Sequence, residues 1–251
     1  RGLAVPATFE ADTPDAADLA RRSAFVEKPR HSCSGIGLRL ADAGDGIRTR
    51  AGDGLVQERL GGQLVSTLSV VHEGRDLGTV AYRGTVFAGT VAVCFERVDE
   101  APAVFGWVQR FIEGSSYSGF LAFDIFLGED GVARAIECNP RATSGVHFFE
   151  PASLGAALVD PEGTGTVTLS RRRRFQWAFS TLTETYAALL RPREFARRFR
   201  ELRTARDVVW ESRDPLPFLL MTPMSWEILW PAMTTRLTLG EATQRDIAWF
   251  G

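Results

Sequence analysis

Phe123 to Arg141 reads FDIFLGEDGVARAIECNPR. Two apolar runs flank Asp130-Gly131, the dipeptide preferred in a two-residue type I′ hairpin turn because both residues tolerate positive φ. With Glu129 and Val132 flanking that turn, Asp124 faces Glu137 across the strands, and Asn139 follows on the same face. Directly opposed Cβ atoms lie about 4.5–5.5 Å apart, and alternate residues of one strand about 6.5–7 Å apart. Three oxygen-bearing side chains therefore converge on one patch. Phe123, Ile125, Leu127, Ile136 and Cys138 take the other face, an apolar set suited to a core.

Facing carboxylates repel, so a positive group belongs between them. Carboxylate and amide oxygens suit hard cations, and Mg²⁺ is commonly held by one or two carboxylates together with substrate phosphates. The plainer alternative is the polar outer face of an edge hairpin, with Glu137 paired to an arginine.

Upstream, Phe25-Val26-Glu27-Lys28 reads as a strand and is followed by HSCSGIG, His31 to Gly37, whose backbone N–H groups could approach a phosphate chain closely. Of 29 basic residues, Lys28 is the one lysine; the rest are arginine. Arginine is a planar fork and lysine a compact point charge. A site that needs a point charge against phosphate is one reason to keep it, and chance is the other.

The remaining pattern fills in around these motifs. Thr13-Pro14 is an N-cap and first-turn proline opening a helix to about Ala24. Strands are expected at 36–40, 55–58, 64–71, 77–82 and 90–95, and Pro102 to Glu113 has helical spacing. Residues 43–54 form a turn-rich loop. Beyond Pro151 the chain reads as mostly helical, with 175–190 and 194–205 the clearest segments, and it holds five of the six tryptophans. The expected organisation is a domain over 1–150 and a helical extension over 151–251.

Composition limits the alternatives. With 251 residues, 45% hydrophobic and 24% charged, the chain suits one large domain or two smaller ones. A net charge of −2 argues against a dedicated nucleic-acid binder. No run nears the roughly 18 apolar residues of a membrane span, and no signal-peptide layout is present, so a cytoplasmic protein without a membrane partner is the expectation. Cys33, Cys94 and Cys138 have no CxxC spacing and read as free thiols. The chain starts at Arg1 and not at Met, which suggests the later part of a longer product.

VEKPRHSCSGIGL, LVQERLGG and FDIFLGEDGVARAIECNPRATSGVHF, in that order, resemble the ATP-grasp superfamily over roughly residues 1–150. The last block, an acid with Glu-x-Asn-Pro-Arg thirteen residues on and then Ser-Gly-x-His, is the most specific. The resemblance implies an α+β fold of two subdomains that grip ATP. It also implies roles. Lys28 would contact the α- and β-phosphates, with Ser32, Ser34, Gly35 and Gly37 in the loop that closes over them. Gln57, Glu58 and the backbone around Leu60 would receive the adenine. Asp124, Glu137 and Asn139 would hold one or two Mg²⁺ ions, or Mn²⁺ in their place, with Glu137 as the bridge. Arg141, and less directly Arg83, would face the transferred phosphoryl group.

Some positions depart from the pattern. Relatives often continue the hinge as Gly-Glu-Glu or Gly-x-Glu, and here Gly61-Gly62-Gln63-Leu64 puts no acid at the ribose. A further lysine and a preceding acceptor-binding domain would lie upstream of Arg1. The shared chemistry is carboxylate phosphorylation by ATP followed by attack of an amine on the acyl phosphate. The partners implied are ATP and small carboxylate and amine substrates. Two other readings stand beside it: phosphorylation of bicarbonate or carbamate, as in carbamoyl-phosphate synthase and biotin carboxylase relatives, and a nucleotide-binding regulatory module. The particular carboxylate and amine, and the oligomeric state, stay open.

The other features have plain readings. His147 is as readily structural as substrate-touching; His31 and His72 read as surface; Cys33 is a small loop residue. Arg171 to Arg174 reads as the solvated start of a helix, and the Trp-rich tail as core or lid.

Overall fold

The computed structural model describes residues 2–31, 35 and 37–235; Ser32, Cys33, Ser34 and Trp249 lie outside the described residues. The chain forms two compact units. One comprises Arg1–Val5, Gly61–Phe87 and Ala92–Val208, and the other Pro6–Leu60, Ala88–Val91 and Val209–Gly251.

The second of these is built on a four-stranded antiparallel sheet. Its strands are β1 (Thr8–Glu10), β2 (Phe25–Pro29), β3 (Arg39–Ala41) and β4 (Gly54–Glu58), in the order β1-β4-β2-β3. Helix α1 (Pro14–Arg22) starts where expected: the Thr13 hydroxyl accepts from Ala16 N at 3.2 Å, and Pro14 needs no donor in the first turn. Ala16 and Ala20 give α1 a flat inner face that packs on Phe25 and Val56. Strand β1 escaped the sequence pattern because it is three residues long, at the sheet edge and only partly buried.

The other unit carries a seven-stranded sheet. Strands β5 (Gln63–His72), β6 (Arg75–Ala88), β7 (Val91–Val98), β8 (Gly119–Leu127), β9 (Ala133–Asn139), β10 (Arg174–Gln176) and β11 (Arg206–Asp207) lie in the order β11-β10-β7-β6-β5-β8-β9. Helix α2 (Pro102–Glu113) presents Val104, Trp107, Val108 and Ile112 to Leu121, Phe123 and Ile125 of β8. Trp107 meets Phe123 edge-on at 5.0 Å and donates its indole N–H to Ala4 O at 2.8 Å. The opposite sheet face packs Leu68, Val80, Tyr82 and Phe95 against Phe148 and Phe149. Each such fully buried apolar side chain contributes about 1.5–3 kcal/mol.

The later helices are α3 (Pro151–Val159), α4 (Ala178–Ala187), α5 (Pro192–Thr204), α6 (Leu216–Met224) and α7 (Trp226–Thr235). The helix expected from Phe175 begins instead at Ala178, because Phe175 pairs with Phe95 as a strand and packs edge-on to Phe148 at 5.2 Å. Asp207, distant in sequence, then accepts from Ala178 N at 2.7 Å, a helix start that no local motif announces. Arg174 accordingly enters a strand, not a helix, and pairs with Glu96. In the tail, Trp226 and Trp230 are more than half exposed, their rings tilted against each other at 5.9 Å, so they are not core. Among the described residues no helix is long and apolar enough to cross a membrane.

Candidate functional site

The β8–β9 hairpin reaches the expected pairing by another route. Of the turn residues only Gly131 has positive φ, at 73°, so the type I′ turn is not formed. Asp130 uses its side chain instead, accepting from Val132 N at 3.1 Å and Arg134 Nη2 at 2.7 Å, while Gly131 N donates to Gly128 O at 3.0 Å. The wider turn shifts the register by one residue, pairing Ile125 with Ala135, and a bulge then returns it to Asp124↔Glu137 and Ala122↔Asn139. The bulge also changes which side chains face the core. Ala133 and Ala135 are buried there, while Ile136 is only half-buried and Cys138 is exposed.

Asp124 belongs to a transverse row. Asp124 lies opposite Ser66 on β5, Ser66 opposite Tyr82 on β6, and Glu137 on the outer strand β9. Ser66 Oγ donates to Asp124 Oδ1 at 2.5 Å, and Asn139 Nδ2 donates to Glu137 Oε1 at 3.0 Å. Glu137 is exposed, as an edge position allows, and among the described residues it forms no ion pair. Arg141 is also exposed; its backbone N donates to Asn139 O at 2.9 Å, turning the chain back beside the row. Tyr82 donates its hydroxyl to Thr143 Oγ1 at 3.1 Å. Burial, opposed by the Thr143 hydrogen bond and reinforced by the Asp124 charge, holds the Tyr82 phenol above its ordinary value, so it stays protonated at neutral pH.

Arg83, next to Tyr82 on β6, points by strand alternation to the other sheet face, where it pairs with Glu96 at 3.0 Å. It does not join the row. His147 lies among Phe95, Phe175 and Trp177 with ring centroids 6.1–6.4 Å away. Burial, opposed by the Asp207 charge, pushes its imidazole below the ordinary value and keeps it neutral. The Cys94 thiol, pushed up to about 11 chiefly by burial, is inert at neutral pH.

The second group of candidates lies in the other unit. Lys28 and Glu27 occupy alternate faces of β2. Lys28 is half-buried opposite Leu55, whereas Glu27 is 2% exposed. Glu27 Oε2 accepts from Thr49 N at 2.7 Å and Thr49 Oγ1 at 2.5 Å, its two oxygens share Arg48 N, and Arg39 Nη1 binds Oε1. Burial disfavours its charge, but the bonds from Thr49, Arg48 and Arg39 outweigh burial and hold its carboxyl below the ordinary value. The sequence reading passed over Glu27; the available signal was an acid inside the apolar strand Phe25-Val26-Glu27.

Gly35 and Gly37 are exposed at φ 76° and 73°, and a Cβ on Gly37 would sit 2.8 Å from Pro29 Cγ. Both features demand glycine. On β4, Gln57 is buried and donates Nε2 to Thr8 Oγ1 at 3.0 Å. Glu58 is half-buried, and its backbone N donates to Ala7 O at 2.8 Å; Leu60 is half-buried where the chain leaves this unit.

The donor set in the row fits a hard cation: two carboxylates from paired strands and the amide of Asn139, all oxygen ligands. No cluster of three His, Cys, Asp or Glu residues able to hold a metal occurs among the described residues, so the amide oxygen or a substrate phosphate would complete the set.

No protein-family model and no curated protein sequence matches the chain. Solved structures do match. A carboxyaminoimidazole ribonucleotide synthase from Aspergillus clavatus, complexed with ATP, superposes with a TM-score of 0.52 at 14% identity, covering 67% of this chain and 51% of its own. A phosphoribosylamine–glycine ligase from Thermotoga maritima gives 0.45 at 18% identity, covering 64% and 48%. The ATP-grasp ligase PsnB, complexed with minimal precursor, Mg and ADP, gives 0.42 at 23% identity, covering 57% and 46%. The chain thus spans about half the length of these structures.

Proposed function

Because the chain carries the ATP-grasp fold, we propose that it is the ATP-binding part of a ligase that activates a carboxylate as an acyl phosphate and joins it to an amine. One observation carries this reading. Glu137 stands opposite Asp124 at an exposed position, and no arginine among the described residues compensates it. Two like charges held face to face on paired strands are relieved by a cation between them, which favours a metal site over a plain outer face of the hairpin.

Asp124, Glu137 and Asn139 would hold Mg²⁺, which when bound neutralises charge on the phosphoryl oxygens. In this reading Arg141 offers its guanidinium fork to the transferring phosphoryl group. Lys28 offers a point charge to the α- and β-phosphates, and the loop through Gly35 and Gly37 brings backbone N–H groups close to them. Gln57, Glu58 and the backbone at Leu60 line the adenine. The substrate carboxylate oxygen attacks the γ-phosphorus and ADP leaves. The amine then attacks the acyl carbon, phosphate leaves, and the amine gives up a proton. No side chain forms a covalent bond to substrate; positioning and electrostatics carry the reaction.

The test is Mg²⁺-dependent ADP release from the full chain, offered pools of carboxylates and amines. Release that needs both a carboxylate and Mg²⁺ supports the ligase. Tight ATP binding with no substrate-stimulated release would contradict it and favour a regulatory nucleotide-binding module.

A further inference from the structure

The row that contains Asp124 does not end at the carboxylate. Ser66 stands directly opposite Asp124 and gives its hydroxyl to Oδ1 at 2.5 Å, and Tyr82 stands directly opposite Ser66 on the next strand. Tyr82 is 6% exposed, and its hydroxyl reaches Thr143 Oγ1 at 3.1 Å, in the loop that carries Arg141. That loop runs into a 3₁₀ turn, Ser144–Phe148, pressed onto the sheet. A Cβ on Gly145 would lie 2.6 Å from Leu68 Cβ and 2.9 Å from Tyr82 Cε1, so only glycine permits this approach.

We propose that Ser66 and Tyr82, anchored by Thr143, are positioning residues that fix the orientation of Asp124 for the metal and tie it to the Arg141 loop. The inference rests on the proposed function above. A carboxylate free to rotate offers its oxygens in many directions. One whose Oδ1 accepts from the Ser66 hydroxyl is held in one orientation, on a residue directly opposite Glu137 of the edge strand β9. Partners of this kind set ligand orientation, and their loss typically costs about 10–100-fold in metal affinity. Ser66 in turn stands opposite the Tyr82 ring, which packs against Phe95 at 6.1 Å and Phe148 at 5.7 Å and so gives it a rigid neighbour.

The experiment uses the full chain with a non-hydrolysable ATP analogue and measures Mn²⁺ binding by electron paramagnetic resonance, which reports both affinity and ligand symmetry. Ser66→Ala is expected to weaken Mn²⁺ binding about 10–100-fold and broaden the bound spectrum, with nucleotide-free unfolding little changed; Ser66→Thr, which keeps the hydroxyl, restores both. Tyr82→Phe is expected to weaken binding by less than about tenfold. Because the two act in series, the double variant should be no weaker than Ser66→Ala alone. Wild-type affinity in Ser66→Ala, or fully additive losses in the double variant, would overturn the inference while leaving the ligase reading in place. A wild-type protein that binds no Mn²⁺ with the analogue would overturn both.

Discussion

Glu27 and Glu137 both sit in strands with apolar neighbours, yet the fold treats them in opposite ways. Glu27 is 2% exposed and accepts from Thr49 N, Thr49 Oγ1, Arg48 N and Arg39 Nη1. An ionised carboxylate has about four lone-pair sites, so nothing remains for a ligand. Glu137 is exposed, faces another carboxylate and accepts from Asn139 Nδ2. Most of its acceptor capacity points outwards. The difference separates an acid that holds a loop to a strand from an acid left open to solvent, the one to which the proposed function gives a cation. Sequence position alone would not have told them apart.

The sharpest way to break that comparison is to neutralise each acid. Glu137→Gln keeps the shape and removes the charge. Turnover is expected to fall by about 10³-fold or more, while the unfolding free energy measured in urea changes by no more than about 0.5 kcal/mol, as for an exposed position. Near-normal ADP release by this variant would remove the metal assignment. Glu27→Gln should do the reverse. It leaves Arg39 and two backbone donors facing a neutral amide, and is expected to cost about 3 kcal/mol in urea unfolding. An unchanged midpoint would mean that the four donors do not hold the loop.

Acid titration sharpens the contrast at smaller scale. The folded carboxyl of Glu27 lies below its ordinary value. Between the two values the unfolded chain binds more protons, so stability rises with pH there. The Glu27 contribution is therefore full above the unfolded value of about 4.3 and is lost as the pH falls from there through the folded value. Urea midpoints measured down that range should fall less steeply in Glu27→Gln than in the parent protein. Parallel curves would assign the acid sensitivity to other carboxylates.

Much of this was legible in the residues. Thr13-Pro14 opened α1 and Pro102 opened α2 because caps and first-turn prolines are local signals. The Asp124–Glu137 pairing was legible too, although the turn beneath it was not the one expected. Asp130 spent its side chain on Val132 N and Arg134, widening the turn, and the bulge near Ile136 cancelled the shift. The same bulge left Cys138 exposed. What escaped depended on distant partners. Phe175 is a strand residue because Phe95 lies beside it, and α4 starts at Ala178 because Asp207 caps it. Ser66 gains its meaning from Asp124, 58 residues away. Glu27 gains its meaning from Arg48 and Thr49, in a loop that reads only as turn-rich.

In the proposed function the paired carboxylates of β8 and β9 hold a metal together with the nucleotide. The most direct measurement is thermal unfolding of the full chain with a non-hydrolysable ATP analogue, with and without Mg²⁺, in the parent protein and in Glu137→Gln. At ligand near 100 times Kd, binding adds about 2.7 kcal/mol, a rise of roughly 5–11 °C for a chain of this size. The account predicts that the parent shows this rise only when Mg²⁺ accompanies the nucleotide, and that Glu137→Gln shows none. A rise that is indifferent to Mg²⁺, or that survives the substitution intact, would contradict it.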